Sequence, residues 1–187
     1  MKTLNDFCYS KDNCLDERVC DELVKIFNIN SSFHERYDND KIPNFTQLNL
    51  MSNNLISSFM KNHLVHKSFE IVREYRERLP DETKFWPKKF GFEEFRIKHY
   101  KANGVDEFDM HVDAISNSTA KRFLVFFWYL NDVEEGGNTD FPYLNISVKP
   151  KKGSVFMFPP MWLFPHRGCP VTKGEKYLLS SYLHYGE

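Results

Sequence analysis

The chain has 187 residues, of which 41% are hydrophobic and 16% aromatic, and its formal net charge is −1. This length suits one domain with a packed core, and the near-neutral charge excludes a global field that would favour nucleic acid or an anionic membrane. The N-terminal sequence lacks the apolar segment of a signal peptide, and the longest apolar run, FLVFFWYL at 123–130, is too short to span a bilayer. Four cysteines without a CxxC pair predict reduced thiols. We therefore expect a soluble, cytoplasmic protein with no membrane or nucleic-acid partner.

Two amphipathic helices are predicted in the first half of the chain, at residues 15–28 and 62–79. The apolar residues that recur at helical spacing are Val19, Leu23, Val24 and Phe27 in the first helix, and Leu64, Phe69, Val72 and Tyr75 in the second. Between the helices, the polar residues 31–47 are predicted to form a mobile lid, and residues 45–50 are a candidate strand.

Strands and turns follow from about residue 92. Residues 93–100 alternate between polar and apolar, and residues 121–131 are apolar almost throughout, as expected for a strand covered on both faces. Later short strands are separated by Gly and Pro. We predict a mainly β fold with flanking helices (α+β), in one domain of residues 1–187. Residues 92–187 would form a double-stranded β-helix of the jelly-roll or cupin type, with the helices and substrate-side loops of residues 1–91 packed outside it.

The stretch DMHVDAI, residues 109–115, contains a His and an Asp two positions apart. His111 and Asp113 would share one face of a strand, so both side chains can address one ligand. Downstream, His166 lies at the end of another predicted strand. Two imidazoles and one carboxylate are the set that holds non-haem Fe(II) on one face of an octahedron and leaves the other positions open. We therefore predict that these three residues bind a metal and form the catalytic centre.

A buried cation is predicted beside this metal site. Lys176 opens the final strand, ten residues beyond His166. A small anionic co-substrate that chelates iron carries a second, distal charge, and a buried ammonium group would hold that charge by a charge-assisted hydrogen bond. The sequence therefore predicts that Lys176 binds the distal carboxylate of such a ligand.

From about Phe95 to His184 the chain resembles the 2-oxoglutarate and Fe(II)-dependent dioxygenases, in particular their prolyl 4-hydroxylase branch. Four segments carry the resemblance, and they are the His-x-Asp pair, RFLVFFWYLNDVEEGGNTDFP, VKPKKGSVFMF and HRGCPVTKGEKY. The resemblance implies that the His-Asp-His set ligates iron and that Lys176 binds 2-oxoglutarate. It also implies that the Tyr100 hydroxyl joins the distal carboxylate of 2-oxoglutarate, and that Thr139 lines the same pocket.

On the substrate side, the resemblance implies two further residues. Arg122 matches a position that faces the substrate groove, and Tyr182 matches an aromatic residue near the substrate ring. The alternatives are a surface arginine and a core tyrosine. The chain departs from many relatives at Val125, where they carry a small polar residue. Outside these positions, five histidines are expected to have ordinary surface or core roles, namely His34, His63, His66, His99 and His184.

The resemblance implies a 2-oxoglutarate-dependent oxygenase that hydroxylates prolyl residues in a peptide or protein and releases succinate and CO2. Its cofactors would be Fe(II), 2-oxoglutarate and dioxygen, with ascorbate as a further candidate. Hydroxylation of a free amino acid or of another residue remains an alternative, and so does a non-catalytic cupin-like binding module. A zinc hydrolase could also use two imidazoles and a carboxylate, but it would not need Lys176 or Tyr100.

Overall fold

The computed structural model describes residues 2–38 and 43–186. The α-helices are α1 (Glu17–Ile29), α2 (Ser58–Arg78) and the one-turn α3 (Pro80–Thr83). Short 3₁₀ turns cover Leu4–Phe7, Ser31–Phe33 and Pro142–Leu144. In the described part of the chain, no helix combines the length and the apolar character that crossing a membrane requires.

The first predicted helix is confirmed as α1. Asp16 caps its N-terminus, because the carboxylate accepts a hydrogen bond from the Arg18 amide at 2.8 Å. Leu23 and Phe27 are buried as predicted, and Cys20 takes a third inner position. The two valines of the predicted face lie at its border and are half-buried. The helix is therefore held by one apolar stripe against the sheet.

The second predicted helix is confirmed as α2, but it begins at Ser58 rather than at residue 62. The Ser57 hydroxyl accepts a hydrogen bond from the Met60 amide and so starts the helix one turn earlier. The buried side chains on its inner face are Met60, Leu64, Ser68, Ile71, Val72 and Tyr75. Phe69 was wrongly predicted to lie on this face: it is 46% exposed and contacts Phe92 edge-on.

Fourteen strands are found among the described residues. Those before residue 95 are β1 (Tyr9–Lys11), β2 (Glu35–Tyr37), β3 (Phe45–Asn49) and β4 (Phe90–Phe92). Those that follow are β5 (Arg96–Lys101), β6 (Phe108–His111), β7 (Arg122–Tyr129), β8 (Glu135–Gly136), β9 (Thr139–Phe141), β10 (Ile146–Val148), β11 (Val155–Phe158), β12 (His166–Gly168), β13 (Val171–Lys173) and β14 (Glu175–Tyr185). The candidate strand at 45–50 is thereby confirmed as β3.

The strands form two main antiparallel sheets. The larger sheet has the order β1-β11-β7-β14-β5-β3-β2, with β4 also paired to β14, and the smaller sheet has the order β10-β9-β12-β6. Strands β8 and β13 pair as a separate two-stranded ladder. This arrangement confirms the predicted mainly β fold with a double-stranded β-helix core.

Strand β7 shows why the predicted run of apolar residues is needed. Its alternate side chains Val125, Phe127 and Tyr129 belong to the apolar cluster inside the barrel. The intervening residues Phe126 and Trp128 belong to a second cluster, which includes the inner faces of α1 and α2. Both faces of this strand are therefore buried, as predicted, and the helices cover the outside of the larger sheet.

Residues before 92 also extend the larger sheet. Strand β1 pairs with β11 at one edge, and the β2–β3 hairpin continues the other edge through β5. Strands β2 and β3 include residues 35–37 and 45–47 of the predicted lid, residues 31–47. Residues 39–42 of that segment lie outside the described residues, so the lid stays a prediction, as does the division of the chain at residue 92.

Candidate metal centre and co-substrate pocket

The two predicted histidine ligands are brought together by strand pairing. His111 is the last residue of β6 and His166 is the first of β12, and the antiparallel register places them directly opposite each other. Their ring centroids are 4.3 Å apart. Asp113 follows two residues after β6, and its Oδ2 lies 3.5 Å from His166 Nε2. The possible ligand atoms of all three residues lie within 4.8 Å of one another.

The loop before His111 is anchored by one buried acid. Asp106 is only 1% exposed, and its carboxylate accepts hydrogen bonds from the Lys101 amide, the Asn103 side chain and the Arg36 guanidinium. These contacts fix the turn between β5 and β6, which sets where β6 begins and hence where His111 points.

Two buried polar atoms of the triad face the space between the three side chains. Asp113 Oδ2 and His166 Nε2 have no hydrogen-bond partner among the described residues. A buried polar atom without a partner is costly, and a cation between these atoms would satisfy both. The donor set of two imidazoles and a carboxylate matches the preference of Fe(II), so the residues present fit an iron ion.

The imidazole nitrogens are oriented for metal binding. His111 Nδ1 lies 2.7 Å from the Asp109 carbonyl oxygen, and His166 Nδ1 lies 3.2 Å from the Phe164 carbonyl oxygen. Each Nδ1–H therefore donates to a backbone acceptor, which leaves Nε2 with a free lone pair. Burial lowers the pKa of His111 to about 4 and also lowers the pKa of His166, so both rings are neutral at neutral pH.

The carboxylate of Asp113 is supported from the groove side. Its Oδ1 accepts a hydrogen bond from the Tyr182 hydroxyl at 2.8 Å, and its backbone carbonyl accepts one from Arg122 at 3.1 Å. Burial opposes the ionisation of Asp113, but the two imidazoles, the Lys98 ammonium and the Tyr182 hydroxyl together lower its pKa. The side chain is therefore an anion, as a metal ligand requires.

Arg122 and Tyr182, which were predicted to contact substrate, are held mainly by other protein groups. Arg122 forms a bidentate ion pair with Glu93, with both N–O distances at 2.8 Å, and its guanidinium lies 3.9 Å from the centre of the Tyr182 ring. Both side chains line the groove that leads to Asp113. Direct contact with substrate stays a prediction for these two residues.

The predicted co-substrate residues share one cavity beside the histidines. Strand pairing places Lys176 opposite Tyr100, and the Lys176 ammonium lies 4.3 Å from the centre of the Tyr100 ring. Lys176 is 1% exposed and donates to the Gly137 carbonyl at 2.9 Å. Burial lowers its pKa to about 8. Thr139 lines the same cavity and hydrogen-bonds the Tyr129 hydroxyl at 2.8 Å.

A profile of the 2OG-Fe(II) oxygenase superfamily matches residues 95–184, which include the triad and Lys176. Residues 95–184 therefore belong to the 2OG-Fe(II) oxygenase superfamily. Within that superfamily, the chain is similar to the prolyl 4-hydroxylases. It is 32% identical over 147 residues to the probable prolyl 4-hydroxylase 3 of Arabidopsis thaliana, a match that covers 63% of this chain and 50% of the relative. The chain thus spans about half the length of the curated relatives it matches.

Solved structures share this fold. The viral collagen prolyl hydroxylase of Paramecium Bursaria Chlorella virus-1, in complex with 2OG, superposes with a TM-score of 0.73 at 24% identity, covering 96% of this chain and 97% of the viral chain. A Trichoplax adhaerens prolyl hydroxylase, in complex with a peptide fragment of the hypoxia inducible factor oxygen degradation domain, gives a TM-score of 0.72 at 14% identity, covering 97% and 85%.

Four residues near the candidate site were missed by sequence reasoning. Lys98 is buried and lines both the groove and the co-substrate cavity, Glu93 pairs with Arg122, Tyr129 hydrogen-bonds Thr139, and Phe108 stacks on His111 with ring centroids 3.5 Å apart. Lys98 alone had a readable signal, because a residue two positions before Tyr100 shares its face of the strand.

The remaining features noted in the sequence have plain structural roles. Val125 lies opposite Tyr182 in the β7–β14 ladder and is fully buried, and its apolar side chain offers no hydrogen bond. His99 faces the other side of β5, where it stacks on Tyr177 and bonds Glu175. Among the described residues, the triad is the one cluster of three or more His, Cys, Asp or Glu at metal-binding distances.

The predicted co-substrate cavity is narrow. Its free volume is about 20 Å³, little more than one water molecule needs. Phe108 and Gly168 both line the cavity, and a Cβ added at Gly168 would lie only 3.5 Å from Phe108 Cβ. A five-carbon dicarboxylate would therefore need Phe108 or a neighbouring side chain to move aside.

Proposed function

We propose that this chain is an Fe(II) and 2-oxoglutarate-dependent oxygenase that hydroxylates prolyl residues in a peptide or protein. The observation that carries the proposal is the convergence of two features: the His-Asp-His triad with its unpartnered atoms, and the buried ammonium of Lys176 in the adjoining cavity. A zinc hydrolase or a plain binding module would have no use for the second feature.

The cofactors would supply the oxidising chemistry, in which dioxygen is split between the substrate, as a hydroxyl group, and 2-oxoglutarate, which becomes succinate and CO2. The protein would supply positions and polarity. His111, Asp113 and His166 would hold iron on one face and leave the other positions free. Lys176 would receive the distal carboxylate, with Tyr100 and Thr139 beside it. The buried aromatic walls around the histidines would keep bulk water out.

A peptide substrate is supported by the shape of the approach to the triad. The groove has a volume of about 580 Å³ and runs between the β2–β3 hairpin and the residues that support Asp113. It is open to solvent along one side, so an extended chain could lie in it with one residue over the metal site. The names of the relatives, prolyl 4-hydroxylases, and the peptide-bound Trichoplax structure favour a prolyl residue in that position.

The proposal is tested with the purified chain, Fe(II), 2-oxoglutarate and air. Proline-rich peptides should gain the mass of one oxygen atom while succinate forms, and free L-proline is included as the alternative substrate. Asp113→Ala and His166→Ala should each abolish iron-dependent succinate formation. Activity of either variant at the wild-type level would show that the triad is not the iron site.

A second measurement separates the oxygenase from a zinc enzyme. Under anaerobic conditions, Fe(II) titrated into the protein should produce a visible absorption only when 2-oxoglutarate is present, and Lys176→Met should greatly weaken the dependence on 2-oxoglutarate. Hydrolysis of a substrate by the zinc-loaded chain, without any such absorption, would instead support the hydrolase.

A further inference from the structure

A second buried lysine lies between the groove and the co-substrate cavity. Lys98 is on β5, two residues before Tyr100, and the two side chains therefore share the inner face of the strand. It is only 8% exposed, and it lines both spaces. Lys176, in contrast, lines the co-substrate cavity but not the groove. Lys98 is thus a cation that a substrate in the groove can reach.

The ammonium of Lys98 has no hydrogen bond and no ion pair within the described ranges 2–38 and 43–186. Its near neighbours are the rings of Phe45 and Phe108, whose centres lie 5.2 and 5.6 Å from Nζ. Aromatic faces stabilise a cation only modestly, and a buried charge without a partner is unfavourable. Such a group is expected where a ligand provides the missing anion.

The other cations of the groove already have partners. Arg122 pairs with Glu93, and Arg96 pairs with Glu94. The acid that attracts Lys98 is Asp113, but no ion pair joins the two, and the Asp113 oxygens are directed at Tyr182 and at the metal site. A metal bound by Asp113 would compensate the negative charge of the carboxylate. Lys98 would then face no anion from this part of the protein.

We propose that Lys98 binds a carboxylate of the substrate, so that the preferred substrate carries an acidic residue next to the hydroxylated proline. This inference rests on the proposed function. The distal carboxylate of the co-substrate has its own cation in Lys176, deeper in the cavity, whereas Lys98 opens to the groove. The carboxylate that Lys98 selects therefore belongs to the substrate, which enters through the groove.

The test compares capped prolyl peptides in pairs, one with Asp beside the proline and the other with Asn. Capping leaves the Asp side chain as the sole carboxylate. Binding is measured by calorimetry without oxygen, on protein loaded with Mn(II) and 2-oxoglutarate, so that no turnover is needed. A charge-assisted hydrogen bond in a buried site predicts about 10- to 100-fold tighter binding of the Asp peptide by the wild-type protein.

Variants at Lys98 test whether this residue causes the preference for the Asp peptide. In Lys98→Met the two peptides should bind equally, while Lys98→Arg should retain part of the preference. Lys101→Met is the matched control, because Lys101 lies on the same strand but is exposed, and it should retain the wild-type ratio. If Lys98→Met does not fold, the wild-type ratio and the Lys98→Arg ratio still test the proposal.

Three outcomes would overturn the inference. Equal binding of both peptides by the wild-type protein would show that no carboxylate is selected. An unchanged ratio in Lys98→Met would place the selection elsewhere. A loss of 2-oxoglutarate affinity in Lys98→Met, with the ratio intact, would assign Lys98 to the co-substrate. None of these bears on whether prolyl peptides are hydroxylated, which the mass measurement decides separately.

Discussion

The Tyr182 hydroxyl donates a hydrogen bond to Asp113 Oδ1 at 2.8 Å, although the two residues are 69 positions apart in the chain. The same aromatic ring lies against the Arg122 guanidinium, which also holds the backbone of Asp113. The carboxylate of the triad is therefore oriented by two residues that bind no metal themselves. Partners of this kind determine how well a ligand set is preorganised.

Removal of this hydroxyl should weaken metal binding while the fold remains intact. For Tyr182→Phe we expect an affinity for Fe(II) about 10- to 100-fold lower, because Asp113 Oδ1 loses its donor. Metal titration followed by fluorescence would measure the change. Tyr185→Phe, at a half-exposed ring three residues further on, should have no effect. Equal metal affinity in wild type and Tyr182→Phe would show that the hydrogen bond has no part in orienting the ligand.

Metal binding should stabilise the chain, because a ligand that binds only the folded state raises the free energy of unfolding. At a metal concentration about 100 times the dissociation constant, the gain is about 2.7 kcal/mol. Denaturant titrations with and without Mn(II) would measure it. Asp113→Ala should lose the gain, whereas Asp109→Asn, which alters an exposed acid in the same stretch, should keep it. Equal stabilisation of both variants would mean that the metal binds elsewhere.

The narrow cavity predicts a steric variant. In Gly168→Val, the new side chain would stand between Phe108 and the Lys176 ammonium, because a Cβ added at this position would lie 3.5 Å from Phe108 Cβ and 3.7 Å from Lys176 Nζ. We expect the KM for 2-oxoglutarate to rise about tenfold or more, since over-filling a packed site costs about 1–3 kcal/mol. The affinity for metal should not change, because the triad atoms are untouched. An unchanged KM would place the co-substrate outside this cavity.

Pattern and chemistry were enough to predict the triad before any coordinates. His-x-Asp and a distant His at strand ends are brought together by the β6–β12 ladder, and the apolar run of β7 required burial on both faces. The pair of Glu93 with Arg122 was not predictable in this way, because the partners are 29 positions apart and neither position has a periodic signal. Contacts of that kind follow from strand register, which a single sequence leaves open.

One local prediction failed and one buried residue was overlooked, each for an identifiable reason. Phe69 has helical spacing from its apolar neighbours, but Ser68 and Ile71 occupy the inner line of α2 instead, and an apolar residue at the border of a stripe stays half-exposed. Lys98 was overlooked because lysine is almost never buried without a partner. Its position two residues before Tyr100 indicated the inner face of the strand, but lysine side chains usually lie in solvent. Such exceptions are expected at functional sites.

The burial of Lys98 predicts a pH-dependent cost to stability. Burial lowers its pKa from 10.5 to about 8, so the unfolded chain holds this proton more strongly than the folded chain. The cost is complete below pH 8 and disappears as the pH rises towards 10.5, where both states are neutral.

At neutral pH, Lys98→Met should therefore be more stable than the wild-type apo-protein by about 1–3 kcal/mol. This advantage should shrink between about pH 8 and pH 10.5, as measured by urea unfolding across that range. Lys101→Met should show no such trend. A Lys98→Met variant that is less stable at pH 7, or whose advantage does not change with pH, would indicate that Lys98 has an anionic partner in the folded chain and is a structural residue.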